Sequence, residues 1–305
     1  MADSAIRRSK HPTTDVVRRI RDLAVKMGAM RARVRFGQAT SSLRILPSWI
    51  IVGAQRSSSS SIFKYLVAHP QVGAPIAKEI HYFDNNYRRG LNWYLGHFPI
   101  RKGARITGEG TPYYLAHPLA PHRIAKDLPG VKLIVVLRNP VDRAYSHFIH
   151  ERALGREPYA SFAEAIEHED ERIAGEEEKM IADPTYYSFN HQNFSYVARG
   201  RYAEQIERLF EIFPRERVMI FSNERLSMEP AKVYAEILSF LGLPPYELQR
   251  FRRHNQRSYA PMDPGVHARL QDYFAPDNER LYKLLGTDFG WNSPVNKECE
   301  SRIAG

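Results

Sequence analysis

The run VKLIVVL at residues 131–137 limits the architecture of this chain more than any other feature. Seven residues, mostly β-branched or aliphatic and without polar alternation, are too few for a buried helix and read as a strand covered on both faces. Such a strand belongs inside a parallel sheet with helices above and below it. The rest of the chain keeps to that plan: WIIV at 49–52 and VMIF at 218–221 read as further strands, and residues 76–83 as an extended segment. Helical patterns fall at 60–68, 89–98, 118–128, 141–154, 196–213, 230–241 and 277–285. This alternation predicts an α/β fold, a three-layer α/β/α arrangement around a central, mainly parallel sheet. Residues 47–295 form the expected domain, preceded by an arm at 1–46 and followed by a short tail at 296–305. The acidic block at 161–183 reads as an exposed helix followed by a mobile loop.

Charge is distributed unevenly. The net charge is +10, but the arm alone holds eleven Lys or Arg against three Asp, so about +8 of it lies before residue 47. The domain itself is close to neutral, which argues against a nucleic-acid groove along its face. Within the arm, Val16, Ile20, Leu23, Met27, Met30 and Val34 recur at steps of four and three, giving one apolar stripe on a basic amphipathic helix. That stripe is expected to pack on the body or on a second subunit; peripheral contact with an anionic membrane is the alternative. Cys299 is the single cysteine, so no internal disulfide forms, and no Cys/His group has the spacing of a metal site. With no secretory leader and no apolar run long enough to span a bilayer, a cytoplasmic location is expected. Asn193-Phe194-Ser195 matches the glycosylation acceptor pattern by chance on that reading.

The functional signal starts at Gly53-Ala-Gln-Arg-Ser-Ser-Ser-Ser-Ser61, placed between a buried strand and a helix. A strand-loop-helix turn aims backbone N–H groups and the positive end of the helix dipole at one point, a ready phosphate site. Counted from Gly53 against the pattern GxxxxGK[ST], the second Gly, the Lys and the Ser/Thr fall on Ser58, Ser59 and Ser60, so the ATP-loop lysine is missing. A second half of the site is expected where VKLIVVL ends. Arg138 stands at the carboxyl end of that strand and Ser146 one turn or two into the next helix, so both face the crevice where ligands bind in open α/β sheets. In Lys78-Glu-Ile-His-Tyr-Phe-Asp84, Glu79 and His81 share one face of an extended segment, and either side chain could take a proton from an acceptor.

With KEIHYFD at 78–84, GEGTPYYL at 108–115, KLIVVLRNPVDRAYS at 132–146, GRYAEQIERLFEIFP at 200–214 and NERLYKLLGTDFGW at 278–291, the chain resembles the sulfotransferases that use 3′-phosphoadenosine 5′-phosphosulfate (PAPS). It is most similar in motif to the sulfotransferase domains of heparan-sulfate N- and 3-O-sulfotransferases and their bacterial relatives. The resemblance implies that Gln55, Arg56, Ser57, Ser58, Ser59 and Ser60 hold the 5′-phosphosulfate, and that Arg138 and Ser146 hold the 3′-phosphate. It implies that Arg257 closes over the donor and that Arg56 neutralises charge on the leaving oxygen. Glu79 is the implied general base, with His81 as orienter or substitute base. No metal is implied, and the acceptor is a small molecule or glycan, its hydroxyl or amine carried on a carbohydrate or glycolipid. Ser58 stands where the family commonly has Gly; if the position needs positive φ, the serine costs on the order of 1 kcal/mol. Gly110 stands where some relatives have lysine, so a cation is absent there unless Lys78 or another residue supplies it. The rival readings are a nucleotide kinase without its loop lysine and a non-catalytic nucleotide-binding protein.

Overall fold

The computed structural model describes residues 12–101, 105–252 and 260–293, with the backbone only for 12–24 and 26. Five parallel strands form one sheet in the order β2-β3-β1-β4-β5, where β1 is Trp49–Gly53, β2 Val72–Gly73, β3 Ile106–Glu109, β4 Lys132–Leu137 and β5 Val218–Ser222. The helices run in chain order as α1 (Pro12–Ala39), α2 (Ser59–Val67), α3 (Leu91–Leu95), α4 (Ala120–Asp127) and α5 (Pro140–Ala153). Four short ones follow, α6 (Phe162–Glu167), α7 (Glu169–Ile173), α8 (Glu176–Ala182) and α9 (Phe189–Phe194). Then come α10 (Tyr202–Ile212), α11 (Asn223–Met228), α12 (Pro230–Leu241) and α13 (Pro264–Leu285).

The strand period of two explains why β1 and β4 carry no polar face. Ile50, Val52, Leu133, Val135 and Leu137 point to one side, where they meet Ile124 of α4, Ile206 and Leu209 of α10 and Leu281 of α13. Trp49, Ile51, Ile134 and Val136 point to the other, against Ile62 and Leu66 of α2 and Val233, Ile237 and Leu238 of α12. Both faces are therefore dry, and the three-layer α/β/α fold read from the sequence is the fold observed. Truncating one of these side chains, Ile134→Ala for example, would remove about 2–5 kcal/mol of stability. Gly108 of β3 is required by packing: a Cβ there would lie 2.2 Å from the Trp49 ring.

From β1 the chain crosses outward to β2 and returns through β3, whereas from β4 it crosses the opposite way to β5. The order reverses between β1 and β4, so a crevice opens above their carboxyl ends. Both predicted halves of the site lie at those ends.

Several sequence expectations are corrected. Residues 76–83 do not form a strand; they make a turning loop in which His81 has φ of 54°, so strict alternation of side chains does not apply. The sheet is completed instead by β2 and β3, which are too short or too polar (ITGE) to show a strand pattern. The helix expected over 196–213 breaks into a 3₁₀ turn (Ala198–Gly200) and α10. The break is held by the Glu169 carboxylate, which accepts from Val197 N and Ala198 N at 2.8–2.9 Å. The acidic block is not a helix and loose loop. It folds into α6, α7 and α8, anchored by buried Glu169 and Glu176, with Glu157 just before it accepting from Tyr196 Oη and Arg172. The last helix begins at Pro264 rather than 277, Pro276 lying inside it. Asn193 and Ser195 are buried, as a chance acceptor pattern would be.

Candidate active site

The site starts from the turn after β1. Arg56 and Ser58 both have positive φ, 69° and 66°, and Ser58 is the residue that leads into α2. The left-handed conformation turns the chain sharply enough to bring residues 55–59 over the start of the helix, and it carries the strain expected for a non-glycine residue. A hydrogen bond of 2.5 Å from Ser58 Oγ to Asn223 Oδ1 ties this turn to the end of β5. Ser57 is fully buried, and its hydroxyl has no hydrogen-bond partner among the described residues.

Arg138 and Ser146 reach the same place from β4 and α5. Arg56 Nε donates to Ser146 Oγ at 3.2 Å, and Arg138 Nη1 donates to the Arg56 carbonyl at 3.4 Å. The two halves foreseen separately in the sequence are thus one cluster. Asn139 caps α5 through Val141 N, and its own N–H donates to Glu224 Oε1 at 3.0 Å. Gln55 is held from behind by buried Arg199, whose guanidinium donates to Gln55 Oε1 and to the carbonyls of His191 and Gln192. Ser60 lies in the first turn of α2. Arg257, expected to close over the donor, lies outside the described residues.

Across the crevice the loop 78–84 presents a chain of alternating charges. Lys78 Nζ donates to Ser59 Oγ at 3.2 Å and to Glu79 Oε1 at 2.6 Å. Glu79 Oε2 lies 3.7 Å from His81 Nε2, and His81 Nδ1 donates to Asp84 Oδ2 at 2.6 Å. Burial acts to push the Glu79 carboxyl up, but the nearby His81 imidazolium and the adjacent Lys78 charge outweigh it and hold it at about 2. For His81, burial acts downward, and the Asp84 and Glu79 carboxylates overcome it, raising the imidazolium to about 10. At neutral pH His81 is therefore an imidazolium that already carries its proton, while Glu79 stays an ionised carboxylate. Its side chain remains 43% exposed, open to an incoming acceptor.

Sequence reasoning passed over three contributors. Asp84 stands in the same motif, three residues beyond His81, a spacing that could have been noticed. Asn223 comes from a distant strand end with no local motif. Glu109, at the end of β3, is fully buried and accepts from Thr111 Oγ1 (2.5 Å), Tyr114 Oη (2.9 Å), Tyr94 Oη (3.2 Å) and the backbone N–H of Ile80 (3.4 Å). Ile80 lies between Glu79 and His81, so Glu109 fixes the backbone on which both stand. Gly110 N donates to the Lys78 carbonyl, and a Cβ at Gly110 would meet Lys78 Cε at 3.4 Å. Lys78 thus covers the place that a side chain at position 110 would occupy.

Residues 46–262 match the sulfotransferase domain family. The chain belongs to the sulfotransferase family. Among the relatives of this sulfotransferase, the membrane-associated sulfotransferase kil1 of Dictyostelium discoideum is 28% identical over 82% of this chain and 68% of its own length. The heparan sulfate glucosamine 3-O-sulfotransferase 3B1 of Homo sapiens is 29% identical over 83% of this chain and 66% of its own. The chain so spans about two thirds of the length of these curated relatives. A crystal structure of a sulfotransferase from Alicyclobacillus acidocaldarius superposes with a TM-score of 0.67 at 30% identity, covering 81% of this chain and 98% of that one. The family read from the motifs is borne out, and the kinase alternative loses its ground. No described helix of the sulfotransferase is long and apolar enough to cross a membrane.

Proposed function

We propose that this sulfotransferase moves the sulfuryl group of PAPS to a hydroxyl or amine on a carbohydrate or glycolipid acceptor. The observation that carries the reading is convergence: two guanidiniums (Arg56, Arg138) and the Ser146 hydroxyl meet at the strand-order reversal, opposite the Glu79 carboxylate. Guanidinium and hydroxyl donors gathered at one point suit phosphate oxygens as acceptors. Gln55 through Ser60 would hold the 5′-phosphosulfate end, and Arg138 with Ser146 the 3′-phosphate.

In the transfer the acceptor oxygen or nitrogen forms a bond to sulfur as the sulfur–bridging-oxygen bond breaks, and the departing oxygen keeps the electron pair. Arg56 and the amides at the start of α2 stabilise that developing charge. Glu79 takes the acceptor's proton. A carboxylate held at about 2 is a weak base for a free alcohol. Its proton uptake falls late, when the forming S–O bond has made the acceptor proton acidic. Lys78 joins the two halves: an anion arriving at Ser59 competes with Glu79 for the ammonium and leaves the carboxylate more basic. His81, locked by Asp84, orients Glu79. Positioning and charge stabilisation carry most of the rate, as in phosphoryl transfer. The cytoplasmic location expected from the lack of a leader or spanning run has no support from the relatives, one of which is membrane-associated by name.

Thermal denaturation with adenosine 3′,5′-bisphosphate, ATP with magnesium, and AMP tests the donor site. Stabilisation by the bisphosphate above the others is expected, and a preference for ATP would overturn the reading.

A further inference from the structure

The arm leaves an apolar helical face uncovered. The last turns of α1 are anchored: Val34 is buried, and Gly37 meets Gly96 so closely that a Cβ on Gly37 would lie 2.1 Å from the Gly96 carbonyl oxygen. Beyond that contact Arg44 Nη1 donates to the Phe98 carbonyl and Ile45 N to the Pro99 carbonyl. The expectation that the stripe packs on the body holds at Val34. Met27 and Met30, on the same face as Val34, are 47% and 43% exposed. Positions 16, 20 and 23 continue that face along the helix backbone.

The charges decide what can cover it. From Leu23 to the end of α1 every charged residue is basic: Lys26, Arg31, Arg33 and Arg35. On a helix Lys26 and Arg33 flank one side of the stripe, and Arg31 and Arg35 the other. A second copy brought face to face through the stripe would oppose two arms of about +8 each, which repel. An anionic lipid surface meets the same pattern with attraction, the thioether side chains entering the acyl boundary and the arginines reaching the headgroups.

We propose that α1 is a membrane-interface helix that docks the enzyme on anionic lipid through Met27, Met30 and their basic flanks. The anchor reaches the chemistry: Ile76 N donates to the His97 carbonyl, next to Gly96, and the segment runs on from Ile76 into Lys78 and Glu79. Docking therefore holds the acceptor side of the crevice at a fixed relation to the lipid surface.

The test is co-sedimentation of the full chain with vesicles of phosphatidylcholine alone and of phosphatidylcholine mixed with phosphatidylserine, alongside the pairs Met27→Glu/Met30→Glu and Arg31→Glu/Arg33→Glu. The wild type should bind only the mixed vesicles and be released by salt. The arginine pair should weaken binding by roughly tenfold or more, at about 1 kcal/mol per basic residue near the surface, and the methionine pair should abolish it. Melting temperature and solution mass should be unchanged in both. Equal binding to the two vesicles, or none, overturns the proposal. So does a methionine pair that lowers the melting temperature or the mass, because protein then covers this face.

Discussion

Arg56 Nε and Ser146 Oγ lie 3.2 Å apart, although ninety residues separate them in the chain. One belongs to the turn after β1 and the other to α5, so this hydrogen bond closes the crevice floor between the two central strands. The Arg138 contact to the Arg56 carbonyl reinforces it.

Arg138→Ala should therefore impair binding of the bisphosphate rather than the chemical step. Loss of a charge-assisted hydrogen bond is worth about 1.5–3 kcal/mol, or some ten- to hundredfold in affinity. Calorimetric titration measures it. Unchanged affinity would place the 3′-phosphate elsewhere.

Glu79→Gln should bind the bisphosphate normally and transfer 10²- to 10⁴-fold more slowly, about what a positioned base contributes. Normal transfer would move the proton to another acceptor. Because the His81 imidazolium is raised to about 10, the arrangement that needs it persists from low pH and is lost as pH rises through that value. Asp84→Asn removes its nearest carboxylate, so the alkaline limb of kcat/KM should move down toward the ordinary histidine range.

Ser58 gives a stability prediction with an internal control. Ser58→Ala keeps the strain of positive φ and loses the bond to Asn223, and should cost about 1 kcal/mol. Ser58→Gly loses the same bond but relieves the strain, so it should lie above alanine in chemical denaturation. An alanine variant as stable as the glycine variant would mean that the turn carries no strain.

Glu109 predicts a pH dependence of folding. Burial is the largest influence and raises its carboxyl to about 7, against the lowering effect of the Thr111, Tyr114 and Ile80 hydrogen bonds. A raised carboxyl binds its proton more tightly in the folded state. Stability should thus fall as pH rises from about 4.5 to about 7, by on the order of 3 kcal/mol. Glu109→Gln should flatten that slope; an unaltered slope would assign it to other groups.

The architecture was legible because β1 and β4 are buried on both faces, and a strand with two dry faces has little choice of residue. The strand-end positions were legible for a related reason: Gln55–Ser60 and Arg138 follow directly from the ends of β1 and β4, so locating the strand locates the residue. The loop 78–84 was misread as extended because its geometry is imposed from outside, by Glu109 beneath Ile80 and by a left-handed His81. Periodicity cannot show a conformation that a distant buried carboxylate enforces. The same holds for Asn223 and for Glu169, each of which acts on a segment far away in sequence.

The attachment of loop 78–84 to Glu109 divides the enzyme's evolvability. On the proposed reading donor recognition hangs on β1, β4 and α5, whereas the loop that carries Glu79 is suspended from the end of β3 and from the helix behind it, joined to the turn after β1 by Lys78. A lineage could exchange residues 74–101 for another insert that preserves the Ile80 amide and the lysine, and so acquire a new acceptor while leaving the donor pocket intact.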